Sequence, residues 1–222
     1  MRTQLLHDRQ CIHWKQSCQR IHLEYDAHMS SDHRYHHGNL RRAVLDQATE
    51  VVRERGASQL SLRELAATIG VTHAAPRRYF SGRQALLDAV AVDGFVRLGG
   101  LLREAIETSS GLHGRVLSIA RVYLDFAISE ANLVELMFAH KHEEGDAAVG
   151  EAAEEAFASI LQIFQQGELA GELQGRNPER VALTFLATLQ GLAGLVNCGV
   201  VPADRLDELT DETVAPYRSP GS

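Results

Sequence analysis

From Asn39 onward the apolar positions recur at helical spacing. Leu40, Val44, Ala48, Val51 and Val52 share one face, with Arg41, Arg42, Asp46, Glu50 and Arg53 on the other. Asn39 suits an N-cap, and Gly56 a C-terminal stop. Ser61-Leu62-Arg63-Glu64 reads as a capping box, with Leu60 and Leu65 as its hydrophobic staple, and opens a helix that reaches Ile69 and stops at Gly70. Thr72 predicts a further N-cap and a short helix through Tyr79. Ser81-Gly82-Arg83-Gln84 predicts another capping box, opening a long helix with Ala85, Leu86, Val90, Val92 and Phe95. Beyond Gly111 helices are expected at 113–129, 131–141, 147–169, 178–199 and 203–214, with breaks at 143–146, from Gly171 to Pro178, and from Gly199 to Pro202. No strand-like alternation bounded by hairpin turns occurs. The pattern predicts an all-α protein of about nine helices.

Residues 1–28 do not fit this pattern. They hold two cysteines, Trp14 and four histidines with no apolar period, and Met29 then opens a polar stretch leading into the first helix. Met29 is the expected natural start, and 1–33 is expected to be an irregular or disordered extension. Cys11, His13, Cys18 and His22 are potential metal ligands, but their spacing matches no common zinc pattern, so no metal site is expected. The remaining chain divides into 34–82 and 83–218.

With 222 residues, 45% apolar and 23% charged, the chain can build a substantial core and is not globally disordered. Three scattered cysteines give no disulfide framework, and no uninterrupted apolar run approaches the roughly 18–20 residues of a membrane helix. The first residues have no apolar stretch of the secretory kind, so the expected location is cytoplasmic, with no membrane partner. There is no P-loop, dinucleotide fingerprint or GxSxG elbow. With no nucleophile–base pair or paired carboxylates either, neither enzyme activity nor a cofactor is expected.

Net charge is −7, which taken whole argues against nucleic acid. Mapped along the chain, the charge says the opposite. Residues 1–33 carry four basic and four acidic side chains, 34–83 nine arginines against four acids, and 84–222 nine basic against twenty-one acidic. A segment of net +5 therefore precedes one of net −12.

The basic segment contains LSLRELAATIGVTHAAPRRYF, which has the mechanics of a helix-turn-helix. Ala66 is small where two helices would cross, Gly70 permits a left-handed turn, and Leu62, Leu65, Ile69 and Val71 form the shared core. The same stretch also suits a helical hairpin within an α bundle. The arginine cluster, the capped helix that follows and the acidic region behind it favour the first reading.

From Arg41 to Phe95 the sequence resembles the DNA-binding domain of the TetR family of transcriptional regulators: SLRELA, then GV, a short helix ending in YF, and a capped helix carrying ALLDAV. HAAPRRYF resembles a subgroup with HAAP in its recognition helix, and Tyr123 to Ala127 with Leu136-Met137-Phe138 resembles that subgroup's regulatory domain. Four positions depart from the pattern: Arg77 stands where Tyr is usual, Arg83 where Lys is usual, and Leu186 and Gln190 where the subgroup has Trp and His.

The resemblance implies a sequence-specific regulator of double-stranded operator DNA, a homodimer, and most often a repressor released by a small, largely apolar effector. Thr72, His73 and Ala74 would read base edges, with a phosphate contact an equal alternative for His73. Arg77, Arg78, Tyr79 and Arg83 would clamp the backbone, helped by Arg63 and by the helix N-termini at Ser61 and Ser81. Pro76 forfeits its bond to the Thr72 carbonyl and is expected to shorten or tighten the recognition helix. Arg34, His36, His37 and Arg41 suit either an arm along the DNA or a solvated tail.

In the acidic region the pocket candidates are Phe95, Leu98, Leu102, Tyr123, Phe126, Leu136, Met137, Phe138 and Phe164, with Tyr123 as the polar handle. The dimer candidates are Phe157, Ile160 and Leu161 on one helix, and Phe185, Leu189, Leu192 and Val196 on a second that is apolar nearly all round. A purely intramolecular core is the alternative for these. Cys198 is expected to be inert packing.

Overall fold

The structure, a computed structural model, describes residues 40–139 and 147–218. Several expectations lie outside the described residues: the 1–33 extension with its Met29 start, the Cys11, His13, Cys18 and His22 group, the Arg34, His36 and His37 arm, the Asn39 cap and the break at 143–146.

The local start and stop signals act where the side chains allow. Helix α1 (Leu40–Arg55) ends at Gly56, whose φ of 81° is left-handed and whose amide donates to the Val52 carbonyl. Helix α2 (Leu62–Ile69) begins at extended Ser61, whose Oγ accepts from the Glu64 amide at 3.4 Å. It ends at Gly70 with φ 76°, a conformation that costs an L-residue with a Cβ about 1 kcal/mol or more. Helices α3 (Arg83–Glu107), α4 (Gly111–Ser129), α5 (Ala131–Phe138), α6 (Ala147–Leu169), α7 (Pro178–Asn197) and α8 (Leu206–Val214) follow. The described residues thus hold eight α-helices and no strand, an all-α fold joining a helix-turn-helix to a helical bundle.

The ninth expected helix is the correction. Thr72–Tyr79 is a pair of tight turns, with only Pro76–Arg78 forming a 3₁₀ turn. Pro76 has no N–H for the Thr72 carbonyl, so the Ala75 amide takes that carbonyl at 2.9 Å and the chain winds at three residues per turn. A second correction falls at Ser81. The N-cap of α3 is Gly82, with no side-chain cap bond, and the Arg83 side chain fixes the start of the helix instead. Downstream, α5 and α7 stop a few residues short of their expected ends, and 203–205 is a 3₁₀ turn before α8.

The core is continuous across the expected boundary at residue 82. Val44, Ala48 and Val52 of α1 join Leu86, Val90, Phe95, Leu98 and Leu102 of α3, and these join Val116, Ile119, Tyr123 and Leu124 of α4. Helix α7 contributes Phe185, Leu189 and Ala193 from one face, while Leu183 and Leu195 of the opposite face are 69% and 42% exposed. By length and composition α7 could cross a membrane (mean hydropathy 1.2), but Thr184, Thr188 and Gln190 interrupt it and one face packs into the bundle.

Candidate functional site

The basic face is built around two buried anchors, Pro76 and Phe80. Between and beside them Thr72, His73, Ala74, Arg77, Arg78 and Tyr79 are all exposed, Tyr79 through 44% of its surface. Arg63 is exposed on α2, and Ser61 is half-buried with its hydroxyl hydrogen still available to donate. Arg63, Arg77 and Arg78 have no ion-pair or hydrogen-bond partner among the described residues. Side chains this long, left free beside a rigid turn, can donate to phosphate oxygens without breaking anything in the fold.

Two arginines expected on this face have internal work. Arg83 donates from Nε to the Leu60 carbonyl at 3.0 Å and from Nη2 to the Ala57 carbonyl, closing the α1–α2 connection over the start of α3. Arg83 is thus anchored at its base yet exposed, and three of its five N–H donors remain for an outside acceptor. The Arg41 guanidinium lies over the Phe80 ring, 5.4 Å from its centroid, and stiffens the end of the turn.

A constellation that the sequence gives no sign of ties this part to the bundle. Glu130, at the α4–α5 junction, is 3% exposed and takes Arg53 Nε of α1 on Oε2 and Arg97 Nη2 of α3 on Oε1. Beside it Asn132 Nδ2 donates to the Arg53 carbonyl at 2.8 Å. Three elements meet on one carboxylate, whose charge two guanidinium groups offset; a buried carboxylate without such partners would be prohibitively costly. The triad thus links α1 and α3 to the α4–α5 junction.

The pocket candidates separate into two groups. Phe95, Tyr123 and Phe138 cluster with Phe157, with ring centroids 5.6–6.4 Å apart in tilted and edge-on geometries. Phe157, a dimer candidate from its sequence position, belongs to this cluster. Phe164 instead packs on Phe185 and Tyr217, at 5.7 and 5.3 Å. Leu98, Leu102 and Met137 are buried core; Leu136 and Phe126 are buried too, with the Arg97 guanidinium 5.7 Å from the Phe126 ring centre. The Tyr123 hydroxyl is buried and has no hydrogen-bond partner among the described residues, and burial pushes its pKa far above the usual tyrosine value.

Ile160, Phe185 and Leu189 are buried inside the protomer, so these dimer candidates are corrected to core. Leu161, Leu192 and Val196 are half-buried. The face of α7 left open carries Leu183, Ala187, Gly191, Gly194 and Leu195 instead. Cys198, beyond the helix end at the C-cap, is exposed and not packed in the core as expected.

A cleft of about 510 Å³ lies between α3, α4 and α6, lined by none of the rings of the aromatic cluster. Its walls include Arg103 and Ile106 of α3, Arg115 of α4, and Ser159, Ile163 and Gln166 of α6. No local motif marks these residues, because their side chains converge only once the three helices pack. Among the described residues no group of three or more His, Cys, Asp or Glu side chains could hold a metal ion.

Residues 44–90 match the family model for bacterial regulatory proteins of the tetR family, and residues 116–217 match that for the tetracyclin repressor-like C-terminal domain. No curated protein matches the sequence. A solved structure of a protein with unknown function from Rhodococcus sp. RHA1 is 36% identical, with a TM-score of 0.76, over 84% of this chain and 97% of that one. FadR from Bacillus subtilis, solved with stearoyl-CoA, is 16% identical with a TM-score of 0.68, over 80% of this chain and 97% of that one. AibR, solved with isovaleryl coenzyme A and operator DNA, is 18% identical with a TM-score of 0.61, over 79% of this chain and 96% of that one. At these identities the last two likenesses concern the fold alone.

Proposed function

This chain belongs to the TetR family of bacterial transcriptional regulators, with a DNA-binding N-terminal domain and a ligand-binding C-terminal one, and from that premise we propose that it is a homodimeric, cytoplasmic repressor released from its operator by a small, largely apolar effector. The observation that carries the DNA-binding half is the turn at Thr72–Tyr79. Its polar side chains are exposed and its two arginines have no partner among the described residues, while Pro76 and Phe80 root it in the core. Thr72, His73 and Ala74 present a hydroxyl, an imidazole and a methyl to base edges in the major groove. Arg63, Arg77, Arg78 and Tyr79 contact the phosphates, and Ser61 adds a short donor. The HAAP-type turn makes the reading end shorter than an α-helix and concentrates the contacts in the first turn.

A second copy is the partner for α7. Its open face alternates Leu183 and Leu195 with the small Ala187, Gly191 and Gly194, which lets two helices approach closely. Two copies would place two turns on successive major grooves, about one helical repeat apart.

In the regulatory domain the aromatic cluster around Tyr123 and the nearby cleft supply effector contacts. FadR and AibR, the neighbours named above, bind acyl-CoA molecules, which supports a ligand of amphiphilic kind here. The effector binds better to a conformation in which α3 and α5 are displaced. Through the Glu130 ion triad that displacement carries α1 and the turn out of register with the groove. Reciprocity requires operator DNA to weaken effector binding by the same factor.

A gel-retardation experiment with the DNA upstream of the protein's own gene tests this reading. Retention of that fragment and not of unrelated duplex is expected. Absence of binding to any duplex at low salt would overturn it.

A further inference from the structure

Helices α3 and α6 touch where Gly99 meets Ala156: a Cβ on Gly99 would lie 3.0 Å from the Ala156 Cα. One to two turns further along both helices, the cleft opens between them and the first turns of α4. Two buried polar atoms in its walls have no partner among the described residues, Arg115 Nε and Ser159 Oγ. The Arg115 guanidinium, half-buried, meets only the neutral Gln166 side chain, accepted by Oε1 at 3.0 Å, and forms no ion pair among the described residues.

Buried donors without acceptors, and a half-buried cation without an anion, are costly unless something supplies the missing partner. Arg115 Nε can only donate, and the Ser159 hydroxyl can donate alongside it. Glu107 and Glu155 also line the cleft, but they are exposed at its rim, where water solvates their charge. Along the floor Ile106 and Ile163 offer apolar surface, and the volume falls in the range of small-ligand pockets, about 300–1,000 Å³.

We propose that this cleft binds an organic anion, its carboxylate or phosphate head held by Arg115 and Ser159 and its short apolar body lying on Ile106 and Ile163. The inference rests on the proposed effector role and gives that effector an acidic head. Arg103, exposed at the mouth, adds long-range attraction, and the Arg115 fork orients two oxygens at once.

Calorimetric titration of the full chain with octanoate, octyl phosphate and octanol tests the proposal without DNA. The carboxylate or the phosphate should bind roughly tenfold or more tighter than the alcohol, and the stronger of the two identifies the head group. Arg115→Gln should bring the anion down to the level of the alcohol, Arg115→Lys should retain part of the difference, and Ser159→Ala should weaken the anion about fivefold. Circular dichroism checks that each variant is folded, and Ser159→Ala removes a single oxygen should the arginine variants not fold. Equal binding of octanol and both anions, an unchanged preference in Arg115→Gln, or no binding of any probe at about 1 mM overturns the site. If the anion binds but operator affinity is unaffected, the site stands and release by effector fails.

Discussion

The arginines of the two ends of this molecule's signalling path look alike in sequence and behave differently in space. Arg77 and Arg78 lie on an exposed turn with no partner among the described residues, whereas Arg53 and Arg97 converge on the buried carboxylate of Glu130. The first pair suits a partner that comes and goes; the second holds three helices together. The charge of +5 over residues 34–83 counts Arg53, Arg77 and Arg78 equally, and it is burial and pairing that assign their work. Arg42, paired with Asp46 and Asp93, and Arg83, on two backbone carbonyls, belong with the structural kind.

The comparison can be broken first at its buried end. Glu130→Ala leaves two partly buried guanidinium groups without their shared anion and should cost roughly 3 kcal/mol in urea denaturation. A loss below about 1 kcal/mol would mean that the triad is not what joins α1 to the bundle. At the exposed end, Arg77→Ala combined with Arg78→Ala should weaken operator binding by about 2 kcal/mol, some thirtyfold, measured by fluorescence anisotropy. Its melting temperature should stay at the wild-type value. If the double variant unfolds instead, these arginines are structural after all.

Ser61→Ala sits between the two kinds, since one hydroxyl both caps α2 and faces the DNA side. Thermal unfolding should show a loss of about 1 kcal/mol from the cap. Smallest is Tyr123→Phe. The deleted hydroxyl has no hydrogen-bond partner among the described residues, so the protein should be unchanged or stabilised by up to about 1 kcal/mol, while effector affinity falls if that hydroxyl is the handle. The pH dependence follows. Below the ordinary tyrosine value of 10.0 the phenol is neutral in both states. Above it the unfolded chain gives up its proton first, so stability falls as pH rises toward the higher folded value. Tyr217, also raised by burial, contributes to the same alkaline loss, so the fall should be shallower in Tyr123→Phe without vanishing.

What was legible in the sequence is what short-range chemistry determines. Ser61, Glu64 and Gly70 bound α2 within a few residues of one another, and the apolar period of α6 predicts its described span of Ala147–Leu169. The recognition segment was legible in place, and the missing amide of Pro76 signalled its tightening, though not that all of Thr72–Tyr79 would wind as tight turns. Ser81 misled for a related reason: the start of α3 is fixed by the Arg83 side chain reaching back over 23 and 26 positions, where a capping motif looks only three residues ahead. Glu130 lies 77 positions from Arg53 and 33 from Arg97, so no local window contains the triad. Helix α7 is apolar nearly all round, and periodicity cannot say which apolar face turns inward; packing chose Phe185 and Leu189 and left Leu183 and Leu195 outside. The cleft at Arg115 is the extreme case, made by three helices that share no motif.

The most direct test of the central claim, that the Thr72–Tyr79 turn and its free arginines are the DNA-binding face, is the salt dependence of operator affinity in wild-type protein and in the Arg77→Ala, Arg78→Ala variant. The logarithm of affinity should fall linearly with the logarithm of salt concentration, and the variant's slope should be shallower by about two phosphate contacts. Equal slopes and equal affinities in a folded variant would contradict the assignment.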